Sequence, residues 1–421
     1  MSTERKGRDF LTEGSLPLIA ITAVLFAFLL AWLLGPGGGI DATQVDPRKF
    51  LDPDLIDRAR DYRSGSRLLT IASMVLGLVV LAVLAVWRPP FIRSLSDRLG
   101  RRPYIGAAVA GAAITVLLVV VRFPLDLIAF NRGRDYGLIT QDFSGWLGDL
   151  LVGTLIGLSL AAAGAALAMW LWRRFKRRFW IAGSILVIAY AVLFTWLWPV
   201  VISPLFNSFQ TLPDGPVRQE VIRLADKAGV EVGNVYEVDA SRRSSTLNAY
   251  VNGIGSSKRV VIYDNAIDQL SDAELSALIA HELSHVESND LYRGLAFAIL
   301  VIPLGVIFVQ VATTALARRR GDDLRGPAII PALALTIGLA TLVLTVPGNV
   351  LSRDIEAHAD RSAMELTGNP DGLIGLQVRL AESNLTDPDP PGIYQYLFGT
   401  HPTTVERISA AEAVKDQGGG K

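Results

Sequence analysis

The sequence predicts a predominantly α-helical, polytopic membrane protein with about seven transmembrane helices and a small α+β domain built around a single helix. Three observations predict this fold class. The 421 residues are 51% hydrophobic and only 19% charged, with a mean hydropathy of +0.38, which is too apolar for an ordinary soluble protein. Seven apolar runs approach the roughly 20 residues with which a helix crosses a bilayer. Between the fifth and sixth runs, residues 207–290 mix charged and turn-forming residues, as soluble domains do.

The apolar runs set the domain organisation, and tryptophans at several of their ends are typical of a membrane interface. The runs are Leu18–Leu34, Leu68–Trp87, Tyr104–Val121, Leu147–Trp172, Phe179–Val201, Leu291–Ala315 and Ala328–Val350. The first run is too long for the core of a cleaved signal peptide, so we expect it to be retained. The expected regions are an N-terminal transmembrane region of five spans (1–206), a soluble α+β segment (207–290), a transmembrane hairpin of two spans (291–350) and a C-terminal helical segment (351–421).

Local patterns predict the elements of the two soluble regions. An amphipathic helix is expected first, followed by three short β-rich runs, at residues 215–230, 234–240, 246–251 and 258–264. Ser271 and Glu274 form a capping box, in which each side chain satisfies a free backbone amide, and this predicts the start of another helix. After the last span, residues 351–366 are helical in pattern and end before Gly368.

Composition excludes several classes of site and partner. The chain has no cysteine, so disulfides and thiolate metal sites are excluded and a metal must use histidine and carboxylate ligands. The formal net charge is zero, which argues against nucleic acid as a partner because no excess cation replaces phosphate counterions. Two of the four histidines stand four residues apart.

Those two histidines belong to the sequence HELSH at residues 281–285. On a helix, His281 and His285 lie one turn apart on the same face, so both imidazoles can reach one ion. Glu282 is offset by about 100° per residue, a position that suits a base taking a proton from metal-bound water. Zinc lowers the pKa of such a water to about 7 and keeps one position open for it. The alternative is a pair of solvated histidines on a surface helix.

A third ligand is needed, and the sequence offers His358, His401 and several carboxylates. Glu356 and Asp360 lie four residues apart on one face of the predicted helix 351–366. Glu356 would complete a site of two histidines and one glutamate, while Asp360 could accept the second N–H of a ligand histidine. His358 points to the opposite face and is expected not to ligate. Two spans separate the two helices that carry the candidate ligands. An even number of spans returns the chain to the side from which it started, so both helices lie on the same side of the membrane.

Five motifs in this order, HELSH among them, resemble the type I CAAX prenyl protease family of integral-membrane zinc endopeptidases. The five are NAYVNG (248–253), KRVVIYD (258–264), HELSH (281–285), SRDIEAHAD (352–360) and HPTTVERI (401–408). The sequence around HELSH also resembles the HtpX heat-shock proteases, which share the fold of the catalytic part and have fewer spans. Eukaryotic CAAX proteases carry a Gly-His pair shortly after their HExxH motif, where this chain has Asn289 and Asp290.

The resemblance implies a role for each site residue. His281, His285 and Glu356 would bind a single Zn²⁺, Glu282 would be the general base, and Asp360 would support a ligand histidine. Asn248, Ala249 and Tyr250 would belong to an edge strand that binds the substrate backbone by β-addition. His401 and Arg407 would be aimed at the oxyanion or the substrate carbonyl. Without the resemblance, these two residues would be ordinary helix residues.

The resulting expectation is a zinc-metalloprotease domain around the HExxH helix and a membrane endopeptidase that hydrolyses peptide bonds. Its partners would be a peptide or protein substrate, membrane-associated or lipidated, and the lipid bilayer. Two alternatives stay open: an HtpX-like quality-control protease of membrane proteins, and a non-catalytic membrane scaffold or transporter with a vestigial zinc site. Sparse charges within the spans argue against the transporter.

We expect a multi-pass protein of a bacterial cell membrane, and the loop charges bear on its orientation. Basic residues concentrate in the loops that lie on the same side of the membrane as the N-terminus. They are Arg5, Lys6, Arg8, Arg88, Arg93, Arg98, Arg101, Arg102, the basic residues of Arg173–Arg178, Arg318–Arg320 and Arg325. In the opposite loop between the third and fourth spans, Arg132 and Arg134 are balanced by Asp126, Asp135 and Asp142. The first loop, on the same side, also holds basic residues mixed with acidic ones, namely Arg48, Lys49, Arg58, Arg60, Arg63 and Arg67. The positive-inside rule therefore favours an extracytoplasmic catalytic domain. The resemblance to the eukaryotic members implies the reverse.

Overall fold

Long apolar helices form the membrane part of the fold. The computed structural model describes residues 13–87, 99–253 and 258–418. The α-helices within these residues are α1 (Leu16–Leu34), α2 (Pro53–Ala82), α3 (Pro103–Asp135), α4 (Phe143–Phe175), α5 (Phe179–Leu197), α6 (Pro216–Ala228), α7 (Asp264–Gln269), α8 (Asp272–Glu287), α9 (Asp290–Arg319), α10 (Ile330–Thr367), α11 (Pro370–Asn384), α12 (Gly392–Phe398) and α13 (Thr404–Gly418).

Six helical runs among the described residues are long and apolar enough to cross a membrane. One of them, Phe143–Leu205, contains both α4 and α5, which meet at the short 3-10 turn Lys176–Arg178. Counting these two helices separately gives the seven apolar helices that the sequence predicts. The predominantly helical, polytopic fold class is therefore confirmed.

Helix α10 continues beyond the length that a bilayer requires. It has 38 residues and thus a length of about 57 Å, whereas about 20 residues cross the hydrocarbon. The sequence suggested a span ending at Val350 and a separate helix from Leu351, but the structure joins them into one helix with Pro347 in its interior. Its second half projects into the α+β domain and carries Glu356 and Asp360.

A four-stranded sheet forms the β part of this domain. Its strands are β1 (Phe209–Thr211), β2 (Asn234–Val238), β3 (Ala249–Asn252) and β4 (Arg259–Tyr263), in the order β1-β2-β4-β3. β2 and β4 are parallel, whereas the two outer pairs are antiparallel. Within the described residues β3 pairs with β4 alone, so one edge of β3 is free.

Helix α8 has a defined start and a defined end. Ser271 Oγ accepts from the backbone of Glu274 while the Glu274 carboxylate accepts from Ser271 N, which completes the predicted capping box. At the other end Asn289 adopts a left-handed conformation with φ 58°, which asparagine tolerates better than most residues. This residue separates the two helices, and α9 begins immediately at Asp290.

The core of the α+β domain fixes α8 between the sheet and the second half of α10. Leu278, Ile279 and Leu283 of α8 are at most 4% exposed and join one apolar cluster with Ile262 of β4 and Met364 of α10. Burying each such side chain stabilises the fold by about 1.5–3 kcal/mol. The two helices that carry HELSH and Glu356 therefore have a rigid mutual position.

The segment that leads into β3 is attached to both neighbouring regions. Arg243 donates from Nε to Asp149 Oδ2 of α4 over 2.8 Å, which links it to the membrane helices. The backbone N–H of Leu247 donates to Asn384 Oδ1 of α11 over 2.9 Å. Contacts with α4 and α11 thus determine where the edge strand lies.

Candidate metal centre

Three side chains from two helices converge on one point. His281 and His285 come from successive turns of α8, and Glu356 comes from α10. One ligand atom from each lies within 4.8 Å of the other two, and this is the one group of its kind within the described ranges. His281 Nε2 is 3.2 Å from Glu356 Oε2, and His285 Nε2 is 3.7 Å from Glu356 Oε1.

The donor atoms fit a zinc ion. Glu356 Oε2 is fully buried and has no hydrogen-bond partner, and a buried carboxylate oxygen without a partner is strongly destabilising. A cation held between this oxygen and the two Nε2 atoms would compensate for the lost hydration. Two imidazoles with one carboxylate form a donor set typical of catalytic zinc, which leaves a position open.

On the side of its Nδ1 atom, His281 contacts an acidic side chain, which in turn contacts a basic one. Its Nδ1 lies 3.0 Å from Asp360 Oδ1, and Arg407 donates from Nε to Asp360 Oδ2 over 2.7 Å. Burial by itself would lower the pKa of His281, but Asp360 and Glu356 raise it to about 10. The environment of His281 therefore favours positive charge, which a bound metal ion would supply.

Arg407 is paired with Asp360. Its guanidinium makes two hydrogen bonds to the Asp360 carboxylate, and its side chain is 11% exposed. Burial would lower the pKa of Arg407, but the Asp360 charge raises it above the ordinary value. Asp360 thus uses two donors of Arg407, a pairing too distant in sequence to be anticipated, and the role of Arg407 at the oxyanion stays a prediction.

His285 has an acidic partner that sequence reasoning missed. Its Nδ1 is 3.0 Å from Oδ2 of Asp290, the first residue of α9. Asp290 is 7% exposed. Arg293 Nε is 3.5 Å from the other oxygen of Asp290, and Arg293 Nη1 donates to Leu34 O at the end of α1. The available signal was an aspartate five residues after the second histidine, directly after a helix-terminating asparagine. Both candidate ligand imidazoles therefore have a carboxylate on the Nδ1 side.

Glu282 lies next to β3 and beside the metal group, which is the set of His281, His285 and Glu356. Burial raises its pKa above the ordinary value, although the nearby His281 and His285 and the backbone N–H of Val251 act to lower it. A carboxylate with a raised pKa is a better proton acceptor than an ordinary glutamate. The contact with Val251 also joins the HExxH helix to the edge strand.

The register of β3 shows which backbone groups point away from β4. Tyr263 N donates to Asn248 O, and antiparallel pairs alternate in direction. Tyr250 and Asn252 therefore direct their N–H and C=O groups towards β4, whereas Ala249 and Val251 direct theirs to the free edge. Asn248 Oδ1 accepts from the outward N–H of Ala249 over 2.9 Å. Val251 was missing from the expected substrate-binding residues, and the N–H and C=O groups of Tyr250 are not available at the free edge.

His401 and His358 lie near the site in different ways. His401 Nε2 is 3.4 Å from Glu356 Oε1, its side chain is 56% exposed, and Thr400 Oγ1 lies 2.8 Å from its Nδ1. His401 therefore stands on the open side of the metal group. His358 instead contacts Ser288 Oγ through Nε2 and Gly37 O through Nδ1, each at 3.1 Å, away from the three ligand atoms.

Two protein families match the chain in succession. The family described as "CAAX prenyl protease N-terminal, five membrane helices" matches residues 45–208, and "Peptidase family M48" matches residues 211–415. The second match contains every residue of the candidate metal centre.

Curated relatives extend the likeness over most of the chain. The "uncharacterized metalloprotease YhfN" of Bacillus subtilis is 28% identical over 92% of this chain and 94% of its own length. The "CAAX prenyl protease 1 homolog" of Arabidopsis thaliana is 31% identical over 66% of each chain. The matched region thus spans about two thirds of the plant relative.

A solved structure shows the same fold. The crystal structure of S. mikatae Ste24p superimposes with a TM-score of 0.78 and covers 95% of this chain and 99% of its own, at 20% identity. At this identity the likeness concerns the arrangement of helices and sheet, and the chemistry depends on the residues described above.

Proposed function

The chain belongs to peptidase family M48, in its CAAX prenyl protease branch, and is a zinc-dependent integral-membrane endopeptidase; from this premise we propose that His281, His285 and Glu356 bind its single zinc ion. The observation that carries the proposal is the convergence of these three side chains within 4.8 Å from two helices that a membrane hairpin separates in sequence. Purified protein is expected to cleave an unstructured peptide, to lose this activity with a chelator and to regain it with added zinc. A chain that binds zinc and cleaves nothing would instead support the non-catalytic membrane scaffold.

The hydrolytic steps follow from the positions of the chain's own groups. An extended substrate pairs with the outward C=O groups of Ala249 and Val251 and replaces the Asn248 side chain as the acceptor of the Ala249 N–H, while the Val251 N–H keeps its bond to the Glu282 carboxylate. Zinc, when bound, supplies the Lewis acidity for hydrolysis. Glu282 accepts the proton of the attacking water and passes it to the leaving amine. His401, on the open side, donates to the carbonyl oxygen as negative charge develops.

Asp360 and Asp290 are proposed to hold the ligand imidazoles with Nε2 directed at the metal, and Arg407 to hold Asp360. Asp360→Asn is therefore expected to weaken zinc binding by about 10–100-fold, measured by competition with a chelator of known affinity. The matched control is Arg361→Gln, one residue further along α10, where the arginine is half exposed and pairs with Glu365. Unchanged zinc affinity in Asp360→Asn would contradict this role.

The substrate is a peptide or protein, and we propose an extended segment of a protein held at the membrane surface. The position of the metal centre supports this, because α9 and α10 lead from the centre directly into the bilayer. The name of the Arabidopsis relative refers to prenylated CAAX proteins. For this chain, a lipid on the substrate is proposed to raise its local concentration at the membrane rather than to be required for cleavage. The zero net charge supports the absence of nucleic acid from the reaction.

We propose that the catalytic domain faces the extracytoplasmic side of a bacterial cell membrane. At the far end of the membrane helices, Gln310 of α9 donates to backbone oxygens of the basic turn Lys176–Arg178, and Arg173 donates to Arg325 O. The last turn of α9 carries Arg318 and Arg319. Arg5, Lys6, Arg8, Arg88, Arg93 and Arg98, which contribute to the same charge bias, lie outside the described residues. A reporter that works only outside the cytoplasm is expected to be active when fused after Lys421, and one that works only in the cytoplasm is expected to be inactive. Cytoplasmic reporter activity would reverse the assignment.

A further inference from the structure

A cavity of about 410 Å³ lies beside the candidate metal centre and extends along the C-terminal end of β3. His285 and Val251 both line it, so it adjoins the metal centre and the strand edge. Its volume lies within the range of pockets that bind small ligands. Because the cavity opens from the place where the substrate backbone would lie, its natural occupant is a substrate side chain.

The walls of the cavity favour apolar groups. Trp196 and Val200 come from the end of α5 and the turn that follows it, Tyr236 from β2, and Leu291 and Tyr292 from the first turn of α9. Large apolar walls bind side chains in proportion to the apolar area that they remove from water. Membrane helices thus supply part of the wall of a pocket that belongs to the protease site.

The charges of the cavity disfavour basic side chains. Among the described residues, its lining includes Lys258 and Arg259 and no carboxylate. Arg259 donates to Asn252 Oδ1 over 2.9 Å and to Pro199 O, and its guanidinium lies 5.6 Å from the Tyr236 ring centroid. This arginine therefore joins the end of β3 to the turn after α5, and its charge repels a lysine or arginine that enters.

The strand direction places the occupant relative to the scissile bond. Antiparallel strand pairs outnumber parallel ones about two- to three-fold. A peptide that adds to β3 in the antiparallel sense has its N-terminal part towards Asn252 and Gly253, which both line the cavity. Residues N-terminal to the scissile bond therefore face the cavity.

We propose that this cavity is a specificity pocket that selects a large apolar side chain within two residues on the N-terminal side of the scissile bond and rejects a basic one. The proposal rests on the proposed peptidase function. The proposal adds to that function a substrate preference, which it assigns to a pocket that helices α5 and α9 help to build.

The test uses the full-length, zinc-loaded protein and peptides that differ at one position. Phe, Leu, Ala or Lys is placed at the first or second residue before the scissile bond, which is located by mass spectrometry. We expect kcat/KM for Phe or Leu to exceed that for Ala by about 10-fold or more, and Lys to fall below Ala. Fluorescence anisotropy of the same peptides on zinc-loaded Glu282→Gln should give the same order of affinity without cleavage.

Two tryptophan variants on the same helix separate the pocket from general effects. Thr195→Trp places a large side chain into the cavity that Thr195 lines and is expected to reduce the Phe-to-Ala ratio towards one. Ile185→Trp changes an outward-facing position that is 64% exposed and should keep the parent ratio. Equal cleavage of Phe and Ala peptides by the parent, or an unchanged ratio in Thr195→Trp, would overturn the pocket alone. Absence of cleavage and of peptide binding together would overturn the pocket and the proposed function.

Discussion

Replacement of Glu282 by glutamine is expected to lower kcat for peptide hydrolysis by about 10²–10⁴-fold while the protein keeps one zinc ion. Glutamine has nearly the same shape but cannot accept a proton, and the three proposed ligands stay in place. Zinc content is measured by atomic emission on purified protein, and cleavage is followed with a quenched fluorescent peptide. Similar KM values would show that substrate binding is preserved.

Glu287→Gln is the matched control for this experiment. Glu287 is the last residue of the same helix, it is exposed, and it does not belong to the group of candidate ligands. We expect its kcat to remain within about two-fold of the parent, as is usual for surface changes away from a site. A Glu282→Gln variant that cleaves as well as Glu287→Gln would show that Glu282 is not the base.

Removal of the Glu356 carboxylate is expected to abolish stable zinc binding and, with it, activity. Glu356→Ala takes away one of three protein ligands and the carboxylate that faces both imidazoles. After dialysis the variant should hold far less than one zinc per chain, and its far-UV circular dichroism should match that of the parent. Added zinc should restore little cleavage.

The control is His358→Ala, two residues further along α10. His358 contacts Ser288 and Gly37 rather than the metal group, so this variant should hold zinc as the parent does. If Glu356→Ala keeps its zinc and His358→Ala loses it, the third ligand is assigned to the wrong face of α10.

Local sequence patterns predicted a large part of the fold and of the candidate site. Long apolar runs predict helices because the bilayer leaves few alternatives for the backbone, and the described residues contain seven such helices when α4 and α5 are counted separately. The capping box at Ser271 and the spacing of His281 and His285 are properties of a single helix, so neighbouring residues suffice to predict them. Asp360 could be connected with Glu356 for the same reason.

Features that depend on contacts distant in sequence could not be predicted. The pairing of Arg407 with Asp360 requires α13 to pack against α10, and the sequence does not specify that contact. The roles of Ala249 and Val251 follow from the pairing register with β4, because a shift by one residue would exchange them with Tyr250 and Asn252. Asp290 was visible in the sequence, but its contact with His285 depends on the left-handed turn at Asn289.

The central claim is that two helices separated by a membrane hairpin complete one zinc site with His281, His285 and Glu356. The most direct test is an anomalous difference map, recorded at the zinc absorption edge, from crystals of the zinc-loaded protein. We predict a single strong peak between His281 Nε2, His285 Nε2 and the Glu356 carboxylate, with His401 outside the coordination shell. A peak coordinated by His401 in place of Glu356, or one located away from α8, would contradict the account.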